Sequence, residues 1–114
     1  YAYEINLASA KLVKETVKSF VKQNSGRACF VAGSIGPTNR TASISSDVNN
    51  PAFRAVTFDE LVIAYTQQVE GLMDGEVDLL ILETVFDTLN VKAALYAITE
   101  VFENKRKKIA RTAL

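Results

Sequence analysis

Along residues 2–23 apolar side chains recur every three or four positions: Tyr3, Leu7, Ala10, Val13, Val17 and Phe20, with Leu12 and Val21 at the flank. Lys11, Lys14, Lys18 and Lys22 take the other side, so the spacing predicts an amphipathic helix, which Asn24-Ser25-Gly26 stops. Ala28-Cys29-Phe30-Val31-Ala32 is a short apolar run of strand character, and it leads into Gly33-Ser34-Ile35-Gly36-Pro37-Thr38. From Ser34 to Val56 no period is visible, and Ser, Thr, Asn and two prolines dominate. The apolar residues Ile35, Ile44, Val48 and Phe53 in that stretch predict a long connection packed down on the core.

Thr57-Phe58-Asp59-Glu60 has the T-x-x-E form of a capping box, with Val56 and Leu61 placed for a hydrophobic staple. Phe58, Leu61, Val62, Tyr65, Val69, Leu72 and Met73 trace one face of the helix that follows, and Gly75 closes it. Leu79–Leu82, with Val77 just before a single Asp78, is uniformly apolar and reads as a strand buried on both faces, as in a parallel sheet covered by helices. Val91, Ala94, Leu95, Ile98, Val101 and Phe102 trace a third helix capped by Asp87 or Thr88.

The expected order is helix, strand, long loop, helix, strand, loop, helix, tail. The fold class is α/β, with parallel strands near 28–33 and 77–82 joined by a right-handed crossover. Two strands do not make a stable sheet, so the chain reads as an excerpt of a larger domain: residues 1–104, then a basic tail over 105–114.

Composition narrows the function. The formal net charge is zero, but Lys105, Arg106, Lys107, Lys108 and Arg111 gather in the tail. The remaining eight basic residues face thirteen acidic ones, so the body is acidic, and nucleic acid is not an expected partner. No apolar run approaches the roughly 20 residues of a membrane span. No signal-peptide pattern is present, so the expected location is cytoplasmic, with no membrane partner. With no histidine and one cysteine, Cys29, the chain alone cannot compose a His/Cys zinc site or a His-based triad. Cys29 is expected to be a buried structural thiol.

Candidate chemistry gathers after the second strand. In α/β folds ligands bind at the carboxyl ends of strands, and Glu83, Thr84, Asp87 and Thr88 stand there. A carboxylate at Glu83 can hold a substrate amine or act as a general base; the alternative is an acid that meets solvent. Asp87 reads first as a helix N-cap. Gly33-Ser34-Ile35-Gly36 has the glycines of an anion nest or of a tight turn, and Asn39, Arg40 and Thr41 can border a pocket.

The strings Val31–Ser45 (V-A-G-S-I-G-P-T-N-R-T-A-S-I-S), Asp47–Arg54 (D-V-N-N-P-A-F-R) and Val77–Asn90 (V-D-L-L-I-L-E-T-V-F-D-T-L-N) resemble the homocysteine-binding, or S-methyltransferase, domain of cobalamin-dependent methionine synthase. The first helix, from Tyr3-Glu4-Ile5-Asn6-Leu7-Ala8, fits the segment before that domain's third strand, so the resemblance covers residues 1 to about 104. It implies about two units of a (β/α)₈ barrel, a fold of roughly 250 residues. It further implies a zinc ion that activates homocysteine and a methyl group taken from methylcobalamin to form methionine. By position, Glu83 would bind the homocysteine amino group, and the Gly33-Ser34 turn would give backbone and hydroxyl contacts. Asp87, Thr88 and Asn39 would shape the same rim. The family's zinc cysteines lie on later strands, so the fragment alone is expected to bind neither zinc nor cobalamin and to be inactive. Its partners would be the remaining barrel segments and the cobalamin and folate modules. The alternative is a non-catalytic truncated product, or a docking piece that pairs through exposed strand edges.

Overall fold

The computed structural model describes residues 1–112, with side chains through Lys107. Five elements follow in order: α1 (Ala2–Gln23), β1 (Ala32–Ile35), α2 (Phe58–Asp74), β2 (Leu79–Leu82) and α3 (Thr88–Thr112). Among the described residues no helix is long and apolar enough to cross a membrane. The expected tail is not separate, because α3 continues through the basic residues to Thr112. Lys, Arg and Ala are good helix formers, and no Gly or Pro interrupts them. The last two residues of that predicted tail lie outside the described residues.

β1 and β2 pair in parallel, with Ala32 opposite Leu79 and Ile35 opposite Leu82. The ladder extends one step beyond at both ends: the Val31 carbonyl accepts from Asp78 N–H at 2.8 Å, and the Ile35 carbonyl accepts from Glu83 N–H at 3.1 Å. β1 therefore starts about four residues later than the apolar run suggests. Its beginning is set by the partner, because the Asp78 carboxylate accepts the Val31 N–H at 2.6 Å and fixes the register there. Cys29 consequently precedes the strand and is half-buried, not interior to it.

The strands are covered on one face only. Ile35 is buried and Leu80 and Leu82 are half-buried, whereas Leu79 and Ile81 are 43% and 45% exposed. Side chains alternate along a strand, so Ala32, Ser34, Leu79 and Ile81 share the open face. The doubly buried strand predicted for Leu79–Leu82 is thus half covered. A uniformly apolar run records what a strand can be packed against, and among the described residues Leu79 and Ile81 stay open.

Packing divides the chain into two compact units. The first holds Tyr1–Ile35 and Gln67–Glu83; the second holds Gly36–Thr66 and the chain from Thr84 onward. In the first unit α1 lies close against α2 at two glycines. A Cβ on Gly71 would run into the Tyr3 carbonyl, and one on Gly75 into the Ala10 side chain. Ala10 is the buried residue of α1, while Val13 and Phe20, on the predicted apolar face, stay more than two-fifths exposed. Gly75 does not supply the left-handed residue of the helix end. That conformation falls on Glu76, at φ 63°, and Gly75 serves close packing instead. Two residues past the Asn24 cap of α1, Gly26 is left-handed, at φ 95°, a conformation that glycine takes without strain.

In the second unit the capping box forms as predicted: Glu60 accepts the Thr57 N–H at 2.8 Å, and Thr57 Oγ1 accepts the Glu60 N–H at 3.2 Å. α3 buries Ala93, Ala94, Ala97 and Val101, a face rotated from the predicted one, and leaves Leu95 and Phe102 half exposed. The connection over 36–56 is held by polar bonds, not by the expected apolar anchors. Ser45 Oγ bonds to the carbonyls of Asp47 and Asn50, Thr41 Oγ1 to that of Ile44, and the Arg40 guanidinium to that of Ala55. Val48 is 94% exposed, Ile44 and Phe53 are exposed too, and Ala42 is the buried residue of the stretch.

Candidate functional site

In the first unit the carboxyl ends of both strands meet. Glu83 follows β2 directly, and alternation puts its side chain on the open face with Leu79 and Ile81. Ser34 occupies the same face of β1. The Ser34 hydroxyl donates to Glu83 Oε1 at 2.7 Å, so the sequence distance of 49 residues closes into one hydrogen-bonded pair. Both residues are exposed. The Glu83 N–H is tied to the Ile35 carbonyl, which fixes the backbone from which the carboxylate projects.

Gly33 sits on the opposite face. A Cβ there would stand 3.0 Å from the side chains of Leu72 and Leu80, so its lack of a side chain lets α2 close over the sheet. Gly33 and Ser34 are strand residues, not a turn. Neither Gly33 nor Gly36 has the positive φ that a nest needs, so that alternative does not form.

Asp87 belongs to the second unit, where it is buried. Its Oδ1 accepts the N–H groups of Leu89 at 2.8 Å and Asn90 at 3.3 Å, which makes it the N-cap of α3. Its Oδ2 accepts the Ser43 N–H at 3.0 Å and so clips the long connection to the helix start. Burial pushes the Asp87 carboxyl upward, but bonds from Ser43, Asn90 and Leu89 outweigh it, and the net shift is downward. The nearby Tyr65 phenol is raised by burial and by the charge of Asp87. Thr88 and Asn39 are exposed.

The architecture is thus two parallel strands alternating with helices, with a carboxylate and a hydroxyl paired where the strands end. Residues 1–112 match the family model for homocysteine S-methyltransferase. The chain belongs to the homocysteine S-methyltransferase family. At that level its chemistry is methyl transfer to homocysteine, and the α-β-α-β-α arrangement is compatible with an arc of an α/β barrel.

Two structural features of this family member escape a reading by periodicity. Asn90 is buried on α3, on the face continued by Ala94, Ala97 and Val101. Its amide donates to Thr38 Oγ1 at 3.2 Å and to the Arg40 carbonyl at 2.8 Å, and its oxygen accepts the Ala42 N–H at 3.0 Å. The available signal is a polar residue at an apolar helical position. The other feature is Thr84, at φ 52°, a conformation costly for a β-branched residue, and no sequence pattern announces it.

The family implies zinc. Among the described residues no three His, Cys, Asp or Glu side chains lie together in a group able to hold a metal ion. The donor set of these residues does not fit that role, and no step below passes through a metal.

Proposed function

We propose that this chain forms part of the homocysteine-binding barrel of a cobalamin-dependent methionine synthase, located in the cytoplasm. Glu83 holds the amino group of the substrate there. The reading is supported above all by the Ser34–Glu83 pair at the open carboxyl ends of the strands. A carboxylate accepts several hydrogen bonds at once, so the bond from Ser34 at Oε1 is compatible with an ammonium donor. An ammonium group brought to the same carboxylate forms a charge-assisted bond, which is stronger than a neutral one. The Ser34 hydroxyl orients the carboxylate, and Gly33 supports the strand by letting α2 pack close. The role of this pair is binding and orientation, so that the homocysteine sulfur is presented in one direction. The complete domain would take its methyl group from methylcobalamin and would hold zinc, for thiol activation, on residues other than those described. Asp87, Thr88 and Asn39 are proposed rim residues of the complete domain, Asp87 acting by anchoring the Ser43 backbone. The 114-residue chain alone is proposed to lack methyl-transfer activity.

A second reading, a docking piece, is favoured by one observation: the open sheet face carries Leu79 and Ile81, both more than two-fifths exposed. Such a face invites an apolar covering layer, and the outer edges of the two-stranded sheet invite another β-strand.

Exchange of Glu83→Gln in the full-length protein tests the first reading by calorimetric titration. Homocysteine affinity should fall roughly 10- to 100-fold, the loss of one hydrogen bond to a charged group. Affinity for 4-mercaptobutanoate, which lacks the amino group, should stay unchanged. Equal affinity of variant and parent for homocysteine removes Glu83 from the site.

A further inference from the structure

The apolar face of α2 contains one polar residue out of keeping with its place. Gln68 stands three residues after Tyr65 and four before Leu72, and such spacing puts side chains on one helix face. Leu61, Tyr65, Val69 and Leu72 of that helix are buried, and Gln68 is itself half-buried. A leucine would satisfy the periodicity equally well and would avoid partial burial of an amide. The glutamine needs a reason.

Its amide supplies one. Gln68 Nε2 donates to the backbone carbonyl of Ser34 at 3.3 Å. Carbonyls alternate between the two edges of a strand, and those of Val31 and Ile35 accept from the β2 side. The Ser34 carbonyl therefore faces the edge away from β2, outside the ladder. Gln68 reaches this group from the helix layer and anchors the peptide that follows the Ser34 side chain. Ser34 is then held through its Ile35 neighbour by the ladder, through its own carbonyl by Gln68, and through its hydroxyl by Glu83.

We propose that Gln68 is a positioning residue for the Glu83 carboxylate: it fixes the end of β1 so that the Ser34 hydroxyl holds Glu83 in one orientation. The inference rests on Glu83 receiving the substrate ammonium. Gln68 touches no substrate and acts only through Ser34. All four residues, Ser34, Ile35, Gln68 and Glu83, lie in the first compact unit.

The test uses the full-length protein and the variant Gln68→Met, close in volume and without the donor. Homocysteine affinity, measured by calorimetry, should fall roughly 3- to 10-fold, the size of one ordinary hydrogen bond. Affinity for 4-mercaptobutanoate should not change, and thermal stability should hold or rise because the side chain suits an apolar stripe. In a Ser34→Ala background the same exchange should have little further effect, since its route to Glu83 is gone. Unchanged homocysteine affinity in Gln68→Met overturns the proposal. So does an equal loss for both ligands accompanied by a lower melting temperature, the mark of a purely structural residue. Additive effects of Ser34→Ala and Gln68→Met overturn it as well. Glu83→Gln, titrated in parallel, separates the two levels: if it weakens homocysteine binding and Gln68→Met does not, only the role of Gln68 is lost. If Glu83→Gln is silent, the reading beneath falls and takes this inference with it.

Discussion

Glu83 and Asp87 are four residues apart, both acidic, both past the end of the same strand, and they do opposite work. Glu83 is exposed, and its carboxylate is met by the hydroxyl of another side chain. Asp87 is 3% exposed, and its oxygens take three backbone N–H groups, two from α3 and one from the long connection. The difference follows from what each donor offers. Backbone amides at a helix start have no intrahelical partner and recruit the nearest short acid. A strand end on an open sheet face makes no such demand, and the acid there meets a side-chain hydroxyl instead. Position relative to unsatisfied backbone, not residue type, separates the structural acid from the one proposed to bind substrate.

Removing the structural acid breaks that contrast most visibly. Asp87→Ala strips the cap from α3 and leaves the N–H groups of Ser43, Leu89 and the buried Asn90 without this acceptor. The expected loss is roughly 2–4 kcal/mol of stability, combining a lost cap with unsatisfied buried donors. Denaturant titration of the full-length protein measures it. A loss below about 0.5 kcal/mol would put Asp87 in the same class as Glu83 and end the distinction.

Much of this arrangement was legible in the residues. Amphipathic periods located all three helices, the capping box marked the start of α2 to the residue, and Asp87 read as a cap from its place before an apolar period. What periodicity could not supply was depth. It assigned Leu79–Leu82 to a strand but could not show that one face would lie open, because apolar character is the same with one covering layer or two. It read Gly33 and Gly36 as turn residues, yet a glycine is equally required where a helix side chain, here Leu72, presses on a strand. Glu83 was found by its position at a strand end. Its partner Ser34 was named from the family resemblance, and the bond joining them lies beyond any local pattern. Asn90 and Gln68 were missed because each stands in an apolar stripe, where a polar residue looks like noise until its partners are seen.

Between the two acids stands Thr84, whose left-handed backbone sharpens the comparison on a smaller scale. For an L residue that conformation costs about 1–2 kcal/mol, and a β-branched side chain makes it worse. Thr84→Gly removes the strain, while the greater freedom of glycine in the unfolded chain takes back about 0.5–1 kcal/mol. The expected net is a gain of about 0.5–1 kcal/mol, read as a melting temperature a few degrees higher. A melting temperature lowered by the exchange would show that the threonine side chain is worth more to the fold than the strain costs.

The smallest expected effect lies in the acid limb of the stability curve, where the charge of Asp87 is titrated away. The Asp87 carboxyl is depressed because the bonds from Ser43, Asn90 and Leu89 outweigh its burial. A depressed folded-state value means that the charged form is favoured by folding, so its contribution is present above the unfolded value, about 3.9 for an aspartate. It is lost as the pH falls below that value and through the lower folded one. Asp87→Asn keeps a good N-cap oxygen but cannot titrate, and its amide nitrogen cannot accept the Ser43 N–H. The variant should therefore be less stable than the parent at neutral pH, and the gap should narrow as the pH drops below about 4. Melting temperatures measured from pH 6 down to strongly acidic buffer follow the gap directly. A constant difference across that range would mean that Asp87 contributes shape and hydrogen bonding without its charge, and the contrast with Glu83 would then rest on burial alone.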